Sequence, residues 1–398
     1  MSTRVTGHRT ARSSDARQAR GAVRGQPGST RAVTREDFLA ALFSSLSRRD
    51  QRERGEQYVR GLLVAQGRKS VRNIAASLGI PEEEQRLHHF IAVSTWDWEP
   101  VRAALADFLE RTSPPQAWVI QSMLIPKVGE HTVGVDRWFD QRYGQTVVGQ
   151  RAYGAWYASD RLSVPVNWKL FLPSRWAYDR DLRNRAEIPD KVAGQPLEEC
   201  AATVVLDAAA AWNTRPRPVL MDLRDSNGWR AMSRFASAGF PVLARIDRGA
   251  RLVVEDPLLP GAGGAAMPAA RILDAVKALR HPVEWADPSG APSIRASLVA
   301  SVRVRTPESS PGARRTLLLL GEWHTPDRAP AQVWITDLTK VPSSSLLRLT
   351  KLTRRVARDF SRGGDEVGLR DFVGRSFRGW HRHMTLASAA HTMAALPL

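Results

Sequence analysis

Residues 113–126 read SPPQAWVIQSMLIP, and the character of the chain changes across them. Ser113, Pro114 and Pro115 break any helix that reaches them, because the residue before a proline is pushed out of the helical region. The following Ala117–Pro126 is a nearly continuous apolar run, the pattern of a strand buried on both faces.

Upstream of this break the periodicity is helical. Thr34-Arg35-Glu36-Asp37 reads as a helix start with acids in its first turn. Phe38, Leu39, Leu42, Phe43 and Leu46 then recur at helical spacing. A second helix carries Tyr58, Leu62, Leu63 and Val64. In a third, Val71, Ile74, Ala75 and Leu78 form one face, Gly79 ends it and Pro81 opens the next. Helix, glycine turn and helix resemble a helix-turn-helix, with Gln85, Arg86, His88 and His89 on its second helix. The pair either enters a DNA groove or packs only within a bundle, and the spacing alone does not choose. These helices define a domain over residues 35–112. Residues 1–34 are Arg, Ser, Gly, Thr and Ala with almost no large apolar side chains, too little to offset the entropy of ordering. They read as a disordered basic arm, either a phosphate-tracking tail or an unselected leader.

Downstream, residues 115–398 form the main domain. The stretches HTVGVDRWFD and QTVVGQRAYGAWYASD alternate as antiparallel strands do. VPVNWKLFLP is another strand, residues 198–213 a helix, and RPVLMDLRD a short apolar strand ending in Asp222. A helix in GWRAMSRFASAG and a strand in FPVLARID follow. Residues 249–330, rich in Gly, Pro and Ala but with further strands, read as an inserted β-rich segment. AQVWITDL returns to the core, and the chain is helical from Ser343 onward. Antiparallel strands, then a parallel α/β portion, then helices predict a mixed α/β sheet with helices on its faces.

The 398 residues, 43% of them hydrophobic, are enough for two or three domains with real cores. Lys and Arg outnumber Asp and Glu by 58 to 40, a net charge of +18 with a pI near 11.0. Such an excess points to a polyanionic partner. Most of these cations are Arg, which forks onto phosphate and onto guanine edges, although a GC-rich genome also enriches Arg. The single cysteine, Cys200, excludes an internal disulfide framework and a cysteine-based zinc site, and fits a reducing cytoplasm. No apolar run approaches the roughly 18 residues of a membrane span, and the N-terminus lacks the apolar stretch of a secretory signal.

From about Trp118 to His391 the chain resembles the DDE-superfamily endonuclease transposases of bacterial insertion sequences. The resemblance rests on WVIQSMLIPKVGEHTVGV, NWKLFLPSRW, AEIPD, RPVLMD and, most specifically, VGLRDFVGRSFRGWHRHMTLASAAH. It implies an RNase H-like fold. It also implies double-stranded DNA as partner, a homodimer, and no membrane or small-molecule substrate. The family's chemistry uses three carboxylates that hold two Mg²⁺ ions across a phosphoryl transfer. Mg²⁺ is then the one cofactor implied, and only where activity is retained.

Carried onto this sequence, the first acid position holds Gln121 and the second Asp222. The third, on the late helix, falls on Ala357, with the accompanying lysine position on Gly364. One carboxylate of three is expected, and an amide oxygen is a poor substitute. Glu130, Asp136, Asp225, Asp359 and Glu366 are the acids that could stand in, although Asp225 could equally be an ion-pair partner of Arg224. His381 and His383 are two apart, which on a helix splits them onto different faces, unlike a zinc-binding pair. The cluster GRSFRGWHRH reads either as DNA-facing or as helix-start packing, with Arg375, Arg378, His381, Arg382 and His383 assigned to DNA and Trp380 to the core. Glu322 and His324 read as a strand end. The expectation is a nucleoid-associated, transposase-derived DNA binder without strand cleavage. The alternatives are an active transposase with displaced ligands and a protein-interaction scaffold.

Overall fold

The computed structural model describes residues 34–140, 144–224, 228–259, 261–287, 293–307 and 315–396. Residues 1–33 of the basic arm, and Asp225, lie outside them. Five helices open the described chain: α1 (Arg35–Leu42), α2 (Arg49–Val64), α3 (Val71–Ser77), α4 (Glu84–Ala92) and α5 (Trp98–Thr112). Thr34 caps α1 in a capping box with Asp37, and Gly79 turns the chain between α3 and α4 at φ 71°. Only glycine adopts that left-handed backbone without strain.

Strands β1 (Ala117–Pro126), β2 (Val135–Asp140), β3 (Gln145–Ala158) and β4 (Ser163–Leu170) follow. Then come α6 (Ser174–Tyr178), α7 (Arg180–Arg185), α8 (Leu197–Trp212), β5 (Val219–Asp222), α9 (Trp229–Ser237) and β6 (Val242–Arg245). Next in the chain are β7 (Arg251–Val254), β8 (Met267–Pro268), α10 (Ala269–Ala275), β9 (His281–Ala286), β10 (Ile294–Arg305), β11 (Leu317–Trp323) and β12 (Gln332–Thr336). Two long helices, α11 (Ser343–Glu366) and α12 (Phe377–Ala395), close it.

The central strands run in the order β4-β3-β1-β5-β6, with β3 antiparallel to β1 and β4, and β5 and β6 parallel to β1. This is an RNase H-like mixed sheet flanked by helices. The inserted segment does not stand apart from it: β12 pairs with β6, β11 with β12 and β10 with β11, so the sheet continues edge to edge into the insertion. One apolar core runs from Phe38 to Met393, across the break at residues 113–115. That break marks a change of secondary structure within one compact unit.

Helix α12 explains that continuity. From Phe377 to Met393 only Arg378 along it is exposed, and it packs on α2, α4 and α5 on one side and on β4 and α11 on the other. Its hydroxyls are satisfied by the helix itself: Thr385, Ser388 and Thr392 each donate to the carbonyl four residues back at 2.8 Å. This burial corrects the DNA-facing assignment of His381, Arg382 and His383, which are 5%, 1% and 1% exposed. Arg382 donates to the carbonyls of Trp96 and Ile91. His383 Nε2 lies 2.8 Å from the Gly368 carbonyl, which can only accept, so Nδ1 accepts from the Tyr58 hydroxyl at 3.0 Å. Two histidines spaced by two suggested split faces. Here both faces are inward, because the helix is enclosed on every side.

The tightest link is Arg102 on α5, 1% exposed. Nε donates to Thr385 Oγ1, Nη1 to Asn167 Oδ1 and the Trp168 carbonyl, and Nη2 to the ring Nδ1 and the carbonyl of His381, all at 2.8–3.2 Å. All five N–H donors of the guanidinium are used. Burial holds Arg102 down to about 10 and His381 well below the usual histidine value.

Arg102→Ala is expected to destabilise the chain by about 3 kcal/mol or more, because it strands buried acceptors on β4 and α12. Arg102→Lys should recover little of that, since an ammonium cannot reproduce the fork; urea unfolding of the three proteins measures both. Burial pushes His383 from 6.5 to about 4 and lowers His391 as well. The unfolded chain therefore takes up protons first, and stability present above about pH 6.5 is lost as pH falls towards about 4. Unfolding midpoints at about pH 7 and about pH 4.5 should differ, and His383→Gln should shrink the difference.

Candidate functional site

The end of β5 carries the candidate site. Trp118 and Val119 of β1 lie beside Val219 and Leu220 of β5 in parallel register, and continuing that register sets Gln121 beside Asp222. Asp222 is in turn the register partner of Arg245 on β6. Side chains alternate along a strand, so Gln121, Asp222 and Arg245 share one face. Trp156, the β3 partner of Val119, shows which face it is: its ring meets Phe360 of α11 at 6.1 Å. The opposite face is covered by α8, where Trp212 stacks on Trp118.

The chemistry at this row is set by guanidinium groups. Arg224 grips Asp222 through Nε at 3.0 and 3.1 Å and Nη2 at 2.8 Å, and its backbone N–H donates to Oδ1 at 3.1 Å. Arg245 Nη1 stands 3.8 Å from Oδ2. Burial and the neighbouring Arg224 and Arg354 hold the Arg245 guanidinium below the usual arginine range, opposed by Asp222 and Glu322. Gln121 is half-buried, and its amide donates to the Ser122 carbonyl at 2.8 Å.

Ala357 lies on α11 seven residues after Thr350 and seven before Gly364. That spacing nearly repeats a helix face, drifting by about 20°. Thr350 and Gly364 are buried and Ala357 is exposed. A Cβ at Gly364 would stand 3.0 Å from Leu369 Cδ1, so this packed position has little room for a lysine.

Of the acids that could stand in, four are among the described residues. Asp359 accepts from Ser163 Oγ at 2.6 Å and pairs with Arg358. Glu130 is 3.6 Å from Arg175, Asp136 accepts from the Arg137 backbone, and Glu366 is exposed at the end of α11. Among the described residues no three His, Cys, Asp or Glu side chains come together as a metal site requires. The described residues around Asp222 therefore do not fit the pair of Mg²⁺ ions that the family's chemistry uses.

The other residues assigned to DNA are dispersed. Arg375 and Arg378 are exposed around the start of α12. Arg86 is exposed on α4, beside Gln85, His88 and His89, and donates to Glu83 at 2.5 Å; Leu87, Phe90 and Ile91 hold the other side of α4 in the core.

Glu322 is more than a strand end. It is 1% exposed and receives the Lys351 ammonium at 2.5 Å and Ser297 Oγ at 2.8 Å, with His324 Nε2 at 3.2 Å. Lys351 also lies over the Trp285 ring at 4.1 Å. Burial pushes the Glu322 carboxyl up, but Lys351 beside it brings it below the usual value. Burial in turn pulls Lys351 down to about 8. A lysine in the LRLTKLTRR run gave no sequence signal for this pair, since β11 and α11 meet only in the fold.

Lys351→Met should cost about 3–5 kcal/mol, because it leaves a buried carboxylate without its cation. Adding Glu322→Gln should recover much of that loss. A double-mutant cycle of unfolding free energies reads the coupling.

Among the described residues, no helix is long and apolar enough to cross a membrane. No curated protein matches the sequence. The family model described as DDE superfamily endonuclease matches residues 41–308, well over half of the chain. The match includes Gln121 and Asp222 and ends before α11. With that match and the RNase H-like strand order, the chain belongs to the DDE superfamily endonuclease family.

Proposed function

We propose that this chain is a DNA-binding member of its family that has lost two-metal strand cleavage. The observation that carries the reading is the row at the strand ends. Among the described residues the one carboxylate there is Asp222, the extended register of β1 and β5 sets the amide of Gln121 beside it, and the helix position assigned to the third acid is the methyl group of Ala357. Two-metal phosphoryl transfer needs several anionic oxygens to hold two divalent cations a few ångström apart. One carboxylate gripped by arginines supplies too little negative charge for that.

DNA binding is supported by the family and by the +18 charge. The exposed residues Arg86, Arg375 and Arg378 are its contacts in this reading, with α4 facing a groove and the two later arginines on backbone phosphates. The protein then works at the nucleoid as a domesticated or decayed transposase, binding as a homodimer to a site of its own or to the ends recognised by an active relative.

The purified chain should bind duplex DNA with an affinity that falls steeply in salt. It should neither nick plasmid nor join strands in Mg²⁺ or Mn²⁺. Gln121→Asp together with Ala357→Glu should raise metal-dependent nicking above that of the wild type. Cleavage by the wild type that Asp222→Ala abolishes would show instead that displaced ligands keep the enzyme active.

A further inference from the structure

We infer that His324 is a phosphoryl-acceptor site, its Nδ1 taking a phosphoryl group from a small N-phosphoryl donor while the buried carboxylate of Glu322 supports the other side of the ring. The site needs neither DNA nor the row at Asp222.

The tautomer of His324 is set by its neighbours. Glu322 Oε1 lies 3.2 Å from His324 Nε2. The same oxygen receives the Lys351 ammonium and the Ser297 hydroxyl, and Ser297 Oγ is itself held by Trp285 Nε1 at 2.9 Å. Burial opposes the charge on Glu322, but Lys351 beside it keeps the carboxyl below its usual value. An ionised carboxylate only accepts, so Nε2 carries the hydrogen and Nδ1 of the neutral ring carries the lone pair. Among the described residues no hydrogen-bond partner meets Nδ1.

Access and charge complete the site. Trp323 ends β11 in the core, and the chain emerges at His324, whose side chain is 47% exposed. Nε2 faces the buried carboxylate, so the exposure falls on the rest of the ring. Arg354 Nη2 stands 3.5 Å from Nε2. Both atoms are donors, so the guanidinium is not bonded to that nitrogen and stands beside the ring as a cation for incoming phosphoryl oxygens. The other described histidines lack this combination. His381, His383 and His391 are buried, and no carboxylate meets the rings of the exposed His88, His89, His131 and His281.

A carboxylate on one imidazole nitrogen fixes the ring and raises the basicity of the other, the arrangement that activates a nucleophile. In the step, Nδ1 attacks the phosphorus of zwitterionic phosphoramidate. The new N–P bond forms as the donor's P–N bond breaks, and ammonia leaves with that electron pair. The Nε2 hydrogen stays on the ring, where Glu322 offsets the positive charge that develops on the imidazole. Glu322 is a positioning residue, since it does not touch the donor.

The test is incubation of the full chain with phosphoramidate, followed by mass spectrometry of its peptides under alkaline conditions that preserve phosphohistidine. His324 should be labelled about 10-fold or more faster than His88, His89, His131 and His281 of the same molecules, and His324→Asn should leave only the slow labelling. Glu322→Gln combined with Lys351→Met removes the carboxylate without leaving a buried ammonium unpaired, and should bring His324 down to the rate of those four. Arg354→Gln should slow His324 by a smaller factor and leave the four unchanged. Circular dichroism checks the fold of each variant. Labelling of His324 no faster than that of the four exposed histidines, or no labelling at all, would overturn the site, as would an unchanged His324 rate in the folded double variant.

Discussion

A guanidinium removed from water must have every N–H satisfied, and Arg102 meets that condition only where α5, β4 and α12 come together. The constraint is geometric as well as energetic. The fork is planar, so Thr385, Asn167, Trp168 and His381 have to present their oxygens and ring nitrogen in one plane around it. That requirement fixes the N-terminal helices against the sheet and fixes α12 against β4. It also explains why α12 carries small and hydroxyl side chains. Ala387, Ser388, Ala389 and Ala390 let neighbouring elements approach closely, and the hydroxyls close onto their own helix.

Once α12 is set, α11 has little freedom. It crosses the sheet face on which Gln121, Asp222 and Arg245 stand, tied by Lys351 to Glu322 near one end and by Asp359 to Ser163 further along. Both are polar ties in partly or fully buried surroundings, where breaking one partner is costly. The scaffold of a family nuclease is thus held by specific polar contacts. A fold persists when its core contacts persist, whereas a catalytic site depends on a few side chains with no part in the core. Gln121 is half-buried and Ala357 exposed, and the core does not rest on either side chain.

Much of the architecture could be read from local pattern. Thr34 with Asp37, the run Ala117–Pro126, the apolar VLMD strand and the glycine turn at Gly79 each signal their structure within a few residues, because capping, alternation and positive φ are local properties. The order of strands followed by helices carried the mixed sheet. The burial of His381, Arg382 and His383 was not legible in this way. A basic-aromatic cluster has the same composition whether it faces phosphate or is enclosed, and only the packing partners differ. Nor was the pairing of Glu322 with Lys351, whose residues are brought together by the meeting of β11 and α11.

By itself, then, the sequence determined the elements, their order, the basic charge and the placement of Asp222 at the end of a buried strand. Spacing and side-chain type decide those through interactions between near neighbours. The tertiary structure decided that Arg102 is the buried clamp, that α12 is enclosed on all sides, and that the partners of Asp222 include Arg245. The contacts of Arg102, and the strand pairing that brings Arg245 to Asp222, depend on which distant segments lie side by side, and that arrangement is set by the packing of the whole sheet and its helices.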